Sequence, residues 1–176
     1  MRRVKWAPLA LLLVGVGVLS VAVADADDAA AKKESGLDRL KRLEGTWVQV
    51  GEDGAPTDTI VSRARITSGG SAIVEEIFPG SEHEMLTVYH LDGNDVLLTH
   101  YCALGNAPRM KLQSSDDPEV WTFVCDGHGT NLAETDPHMH AGTFTWDGAD
   151  RFHGAWTMHA GGKAGQTVEI DAVRRK

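Results

Sequence analysis

The side chains of this chain best suited to chemistry are its eight histidines and two cysteines, and several of them recur at a spacing of two. His138 and His140 form one such pair, and His100 and Cys102 form another. In an extended chain, residues i and i+2 share a face, so each pair presents its donors together. Imidazole and thiolate suit a borderline-soft divalent cation such as zinc or copper, and His100, Cys102, His138 and His140 would make a nearly complete site if they converged. His90 lies in a similar stretch and could join them. The same side chains also suit a pocket wall, hydrogen-bonding one another, buried water or a ligand. In that reading His90, His100, Tyr101, Cys102, Asn106, Arg109, Asn131, His138, His140 and Trp146 are the candidate ligand-binding residues. Trp146 shares the parity of His138, His140 and Phe144 and would add an aromatic wall. His83, His128, His153 and His159 fall near turns or strand ends and read as surface residues.

Other candidates are narrower. The planar fork of Arg109 could hold a ligand carboxylate, although its more ordinary use is an ion pair with an acid such as Glu75 or Glu76. Glu75 and Glu76 project to opposite faces of a strand, so one can point inward. An inward carboxyl near a histidine would have a perturbed pKa and could serve as a general base. Cys102 beside His100 lacks a third, orienting group, which argues against a catalytic thiol. No Gly-x-Ser-x-Gly, phosphate-binding loop or dinucleotide fingerprint occurs. The candidate catalytic set is therefore empty.

These residues must be positioned by strands. Met85–Leu91 and Val96–Cys102, rich in Val, Leu, Thr and Tyr, flank Asp92-Gly93-Asn94-Asp95, a strong hairpin signal. Neither parity of that hairpin is plainly polar, which suggests a sheet covered on both sides or curled around an interior, rather than a flat sheet with one wet face. Further strand patterns cover Thr46–Val50, Thr59–Thr67, Ala72–Phe78, Met110–Gln113, Val120–Asp126, Met139–Trp146, Arg151–Met158 and Thr167–Val173, each bounded by Gly, Pro, Asn or Asp. The longest gap, Gly127 to Pro137, reads as a rim or lid loop. Leu37, Leu40 and Leu43 recur at helical spacing after Ser35, a possible N-cap, and predict a helix of about two turns that docks on the sheet.

The N-terminus has the pattern of a secretory signal peptide: basic Arg2, Arg3 and Lys5, an apolar run over Leu9–Val23, and Ala22-Val23-Ala24 before acidic residues. The apolar run is short for a spanning helix, so cleavage near Ala24 would leave no stable transmembrane span. No cysteine follows the site to carry a lipid anchor. The expected organisation is a signal peptide over 1–24, a mobile tether over 25–36 and one domain over 37–176, exported to the periplasm or the medium. Losing Arg2, Arg3 and Lys5 takes the formal charge from −8 down by three, to −11. So acidic a domain is a poor nucleic-acid binder, because phosphate contacts need Lys and Arg. Export permits a disulfide between Cys102 and Cys125, but if their strands flank a third they stand about 9.6 Å apart, against the roughly 6.8 Å a bridge spans, which argues against an easy one and leaves both the bridged and the free state open.

A short helix, then Gly45-Thr46-Trp47, then an up-and-down run of strands resembles the calycin architecture of lipocalins and fatty-acid-binding proteins. Met85–His90, Leu98–Cys102, Gly105-Asn106 with Pro108-Arg109, Gly129-Thr130-Asn131 and His138-Met139-His140 together resemble bacterial lipocalin-like proteins of unknown function. The resemblance implies an all-β fold: a closed or nearly closed antiparallel up-and-down barrel of about ten strands with a short N-terminal helix and an internal cavity. It brings no known activity. Nitrobindin, a haem-binding barrel, has a glycine-rich opening from which Gly45–Val50 departs, so haem is the less expected cofactor. The favoured reading is an exported, non-enzymatic barrel binding a small amphipathic or lipophilic ligand, without a cofactor. The alternatives are a zinc-, other divalent-metal- or haem-dependent protein using the His/Cys cluster, and a structural or partner-binding envelope protein.

Overall fold

The computed structural model describes residues 36–133 and 135–176, so the expected leader and all of the tether before Gly36 lie outside the described residues. Ten strands follow a short helix: β1 (Gly45–Val50), β2 (Pro56–Thr67), β3 (Ala72–Ile77), β4 (Met85–Asp92), β5 (Asp95–Tyr101), β6 (Ala107–Leu112), β7 (Val120–Thr130), β8 (His138–Trp146), β9 (Arg151–Ala160) and β10 (Lys163–Arg174). Each pairs antiparallel with its neighbours in sequence, and β1 closes on β10 to complete the barrel. Closure removes the exposed strand edges along which an antiparallel sheet could otherwise pair with another chain. Every strand expected from the sequence is present.

The main departure is at β6 and β7. β6 begins earlier, at Ala107, and β7 ends later, at Thr130, than their residue patterns suggest, so the expected loop from Gly127 to Pro137 shrinks to 131–137. Pro108 has no N–H to offer a ladder, and pairing beside it is irregular. Pro108 faces Gly129 while Met110 faces Cys125, so β7 uses four residue steps where β6 uses two. The glycines of 127–129 let the backbone follow that bulge.

One end of the barrel is plugged. Helix α1 (Gly36–Leu40) runs into a 3₁₀ turn over Lys41–Leu43, and Leu37, Leu40 and Leu43 are all buried in the core. Trp47 Nε1 donates to the Leu43 carbonyl at 2.7 Å, fastening the plug to β1. Above the plug, Trp47 meets Trp146 and Phe152 edge-on, with ring centroids 5.6 and 4.9 Å apart. Arginines lie over the outer tryptophan faces: Arg174 over Trp47 and Arg42 over Trp146, each 4.3 Å from the ring centroid. Gly45 fits between them for two reasons. Its φ of +127° is one that side-chain-bearing residues avoid, and a Cβ there would meet Arg174 Nη1 at 2.7 Å. The Gly-x-Trp signature thus marks where the last strand's arginine seals the plugged end.

The hairpin register settles which faces point inward. Thr87 pairs with His100 and Tyr89 with Leu98, and all four are buried. Leu86, Val88 and His90 therefore face outward, so His90 does not join the inward set. The interior between plug and midpoint is filled by Trp47, Tyr89, Phe123, Phe144 and their neighbours. The space beside Glu75, Phe144 and Trp156 is about 20 Å³, room for about one water. The internal cavity implied by the calycin resemblance is not found at that level. Both thiols are free, and β6 does lie between β5 and β7 as the spacing argument required. Among the described residues no helix is long and apolar enough to cross a membrane.

Candidate functional site

The four residues expected to converge on a metal divide into three places. His100 is deep in the barrel, 2 % exposed. Its Nδ1 lies 3.0 Å from Thr87 Oγ1 and its ring is stacked near Trp156, while its Nε2 has no hydrogen-bond partner among the described residues. Burial lowers its pKa to about 4, so the ring is neutral at pH 7. Cys102 lies just past β5 at the unplugged end, with Sγ 4.0 Å from Met85 Sδ. His138 and His140 stay together at the start of β8, but their thiol partner is Cys125 of β7. The ligating atoms of Cys125, His138 and His140 all lie within 4.8 Å of one another.

A bulge creates that cluster. On β8, Phe144 and Trp146 point into the core, and strict alternation would send His140 and His138 after them. The pairing with β9 slips between Met139 and Ala141: Ala141 faces Thr157, but Met139 faces Met158 and His138 faces His159. Met139 joins the core in place of the histidines. The shared parity expected for Trp146 and the two histidines is thereby broken. His138 Nε2 and His140 Nδ1 are 3.0 Å apart, and His138 Nδ1 lies 2.7 Å from the Asp136 carbonyl. His140 stacks flat on His159, centroids 3.6 Å apart and planes 5° off parallel. His159 is therefore part of this group rather than a bystander on the surface. Burial, then the neighbouring His159 and His138, pushes the His140 pKa below its ordinary value. A hollow of about 550 Å³ fronts the group, walled also by Gly127, Leu132 and Ala133.

A second concavity opens at the unplugged end, with a volume of about 610 Å³. Inward residues of four strands, Met85, Met139, Met158 and Val168, form its wall. Phe78 and Pro79 from the β3–β4 loop and Cys102–Leu104 from the β5–β6 loop form its rim. Leu104 is 53 % exposed there, one of few large apolar side chains left in solvent. A somewhat larger hollow, about 780 Å³, lies over β1, β2 and β10 beside Asp58, Asp150, Arg151 and Lys176. Its charged lining fits bulk solvent better than an apolar ligand, so the apolar mouth is the stronger candidate.

Glu75 is the inward member of the Glu75-Glu76 pair, 3 % exposed. Ser62 Oγ and Tyr89 Oη each donate to its carboxyl at 2.5 Å. Burial raises its pKa, and the two hydroxyl donors pull the other way without cancelling it. Tyr89 is raised well above its ordinary value, by burial and then by the carboxylate. On neighbouring strands Glu75 pairs with Thr87, and Thr87 with His100, so the three form one inward row. The 20 Å³ space beside it excludes a substrate, and Ser62, Tyr89 and the Thr87–His100 contact supply the row's hydrogen bonds, His100 Nε2 excepted.

The remaining candidates lie away from both hollows. Tyr101 is 51 % exposed on the outer face. Arg109 forms an ion pair with Asp126, at 2.6 Å through Nη2 and 2.7 Å through Nε, rather than with Glu75 or Glu76. Asp126 is partly buried, which by itself would raise its pKa, but bonds from Arg109 and the His128 backbone hold it below the usual carboxylate range. Glu76 pairs instead with Arg63 at 3.2 Å. Asn106 Nδ2 donates to the Pro137 carbonyl at 2.8 Å, and Asn131 Nδ2 to the Gly105 carbonyl at 3.3 Å. The two asparagines tie the β5–β6 loop to the β7–β8 loop, a positioning role at the rim. Trp146 is core packing at the plugged end.

Sequence reasoning missed Cys125, His159 and the three methionines. Folding the chain about Asp147-Gly148 already brings residue 159 beside 138–140, so His159 was within reach. Met139, and the meeting of Cys125 with the two histidines, were not, because both depend on the β8 slip that no residue pattern announces. No known protein family matches this chain, and no curated protein matches it either, so its function is read from this geometry.

Proposed function

We propose that the protein is an exported, lipocalin-like barrel that binds one small lipophilic or amphipathic molecule at its mouth, without catalysing a reaction. The observation that carries this reading is the apolar concavity of about 610 Å³ at the unplugged end. Its volume falls in the range of small-molecule sites, about 300–1,000 Å³. Methionine walls favour such a role, since thioethers repack around varied apolar shapes at low cost. The filled interior supports a shallow ligand held between the β3–β4 and β5–β6 loops. The determinants then move from His100 and His140 to Met85, Met139, Met158 and the Cys102–Leu104 rim. Export rests on the leader pattern of residues 1–24, and the mass of the mature chain tests it, with Asp25 expected as the first residue.

Titration with N-phenyl-1-naphthylamine, which fluoresces on entering an apolar site, tests the binding reading. Saturable one-to-one enhancement is expected. Placing an amide in the wall, Met139→Gln or Met158→Gln, should weaken the probe about tenfold through the cost of burying an unpaired polar group. His100→Gln, deep in the packed interior, should leave the probe affinity unchanged. Absence of saturable enhancement, or affinity indifferent to both methionine changes, would refute the proposal.

A further inference from the structure

We infer that Cys125, His138 and His140 form a binding site for a single borderline-soft divalent cation, zinc foremost. The three ligating atoms already lie within 4.8 Å of one another. In a tetrahedral zinc site with Zn–N of about 2.0–2.1 Å and Zn–S of about 2.3 Å, donor atoms stand roughly 3.3–3.6 Å apart. The His138 Nε2 to His140 Nδ1 distance of 3.0 Å needs only a few tenths of an ångström of opening to reach that figure. Two nitrogens and one sulfur are a donor set for zinc or copper rather than for calcium or magnesium, which take oxygen.

The orientation of the rings supports the assignment. His138 Nδ1 faces a backbone carbonyl, that of Asp136, and must carry the proton there. In the neutral ring, Nε2 is then a bare lone pair aimed at the cluster, the arrangement found where a metal-bound imidazole is fixed by an outer acceptor. The short contact between the two histidines then requires His140 Nδ1 to be the donor. A cation replaces that shared proton. Its binding leaves His140 Nδ1 unprotonated, with the ring proton carried on Nε2, and releases the Cys125 thiol proton to solvent. The flat stack of His159 holds the His140 ring in plane. Three protein donors facing a hollow of about 550 Å³ leave the fourth position for water or an outside ligand. The cation would join β7 to β8 across the loop over 131–137.

The test is a cobalt(II) titration of metal-free, untagged protein, with zinc as competitor. One equivalent of cobalt should produce a sulfur-to-cobalt charge-transfer band that zinc abolishes. Cys125→Ser should remove the band, His138→Gln and His140→Gln should each weaken cobalt at least tenfold, and Cys102→Ser should leave the cobalt band and its affinity as they are in the unaltered chain. A measurement on the unaltered chain guards against misfolded variants: zinc should protect Cys125 from iodoacetamide, mapped by peptide mass, while Cys102 remains reactive. The inference is overturned if the band is absent and Cys125 is alkylated equally with and without zinc. It is overturned equally by a band that survives Cys125→Ser or disappears in Cys102→Ser.

Discussion

His100→Gln should change how stability depends on pH, and by an amount the structure fixes. In the barrel the His100 pKa is about 4, against 6.5 for the exposed residue. Below pH 6.5 the unfolded chain takes up a proton that the folded chain refuses. The contribution of His100 is thus complete above pH 6.5 and is lost as pH falls toward 4. A depression of about 2.5 pH units, at about 1.4 kcal/mol per unit, makes the loss roughly 3 kcal/mol. Glu75 acts with the opposite sign. Its pKa is raised by burial, so its contribution is complete below 4.5 and is lost as pH rises through its folded value. Above pH 4.5, until Glu75 has ionised in the folded chain, the two slopes, each limited to about 1.4 kcal/mol per pH unit, work against each other in the native protein. His100→Gln keeps a hydrogen-bonding side chain near Thr87 but removes the proton uptake. Urea denaturation of both proteins from pH 4 to 8 isolates the effect, because every other titrating group cancels in the difference. The native protein should lose roughly 3 kcal/mol more than the variant between pH 7 and pH 4. Glu75→Gln should tilt the profile the other way, leaving stability that rises with pH across the same window. Parallel curves for the native protein and His100→Gln would show that the ring titrates normally in the fold and would refute the reasoning.

Two further changes probe the packing. Gly142 faces Trp156 across the β8–β9 pair, and a Cβ there would overlap the indole ring. Gly142→Ala should therefore cost about 1–3 kcal/mol through overpacking, read as a lower thermal midpoint by circular dichroism, and Trp156→Phe in the same chain should restore part of it. Arg174→Met should cost about 2 kcal/mol, since it uncovers Trp47 and leaves the Arg42 and Glu44 carbonyls without their donor. Arg174→Lys should rescue little, because an ammonium cannot lie flat on the ring and donate to two carbonyls at once.

Most of the architecture was legible because each strand carries its own turn signal and its own β-branched or aromatic run. The helix was legible from three leucines, and the Gly45–Trp47 signature from one glycine that has a stated conformational reason. The site was less legible, and the reason lies in a backbone irregularity. Alternation is a good guide only while the ladder is regular, and a single extra residue reverses every side chain beyond it. His138 and His140 were correctly paired with each other but placed on the wrong wall, because the slip next to Met139 is invisible in composition. Pairing Cys102 with them required β5 and β8 to approach across the barrel. The β8 slip instead turns the histidines toward Cys125 on the adjacent strand β7, which becomes the nearer thiol. Arg109 met an acid, but that acid is Asp126 on the neighbouring strand β7 rather than Glu75 or Glu76 on β3, three strands away.

The barrel is divided along its axis by side-chain stiffness. From the plug to the row at Glu75 it is packed with rings that hold one another edge-on, under arginines fixed to backbone carbonyls. Such a core has few alternative rotamers and no room for a guest. Beyond Trp156 the inward residues are Met85, Met139 and Met158, whose three rotatable bonds allow many arrangements. Met139 belongs to both halves of the functional argument. It forms part of the mouth wall, and it is bonded on either side to His138 and His140. A cation held by those two histidines would fix the backbone that carries Met139, and a guest at the mouth would press on the same bulge. Whatever free energy couples the two must act equally in both directions, so the bulge between Met139 and Ala141 is where the chemistry of the rim and the shape of the mouth are set together.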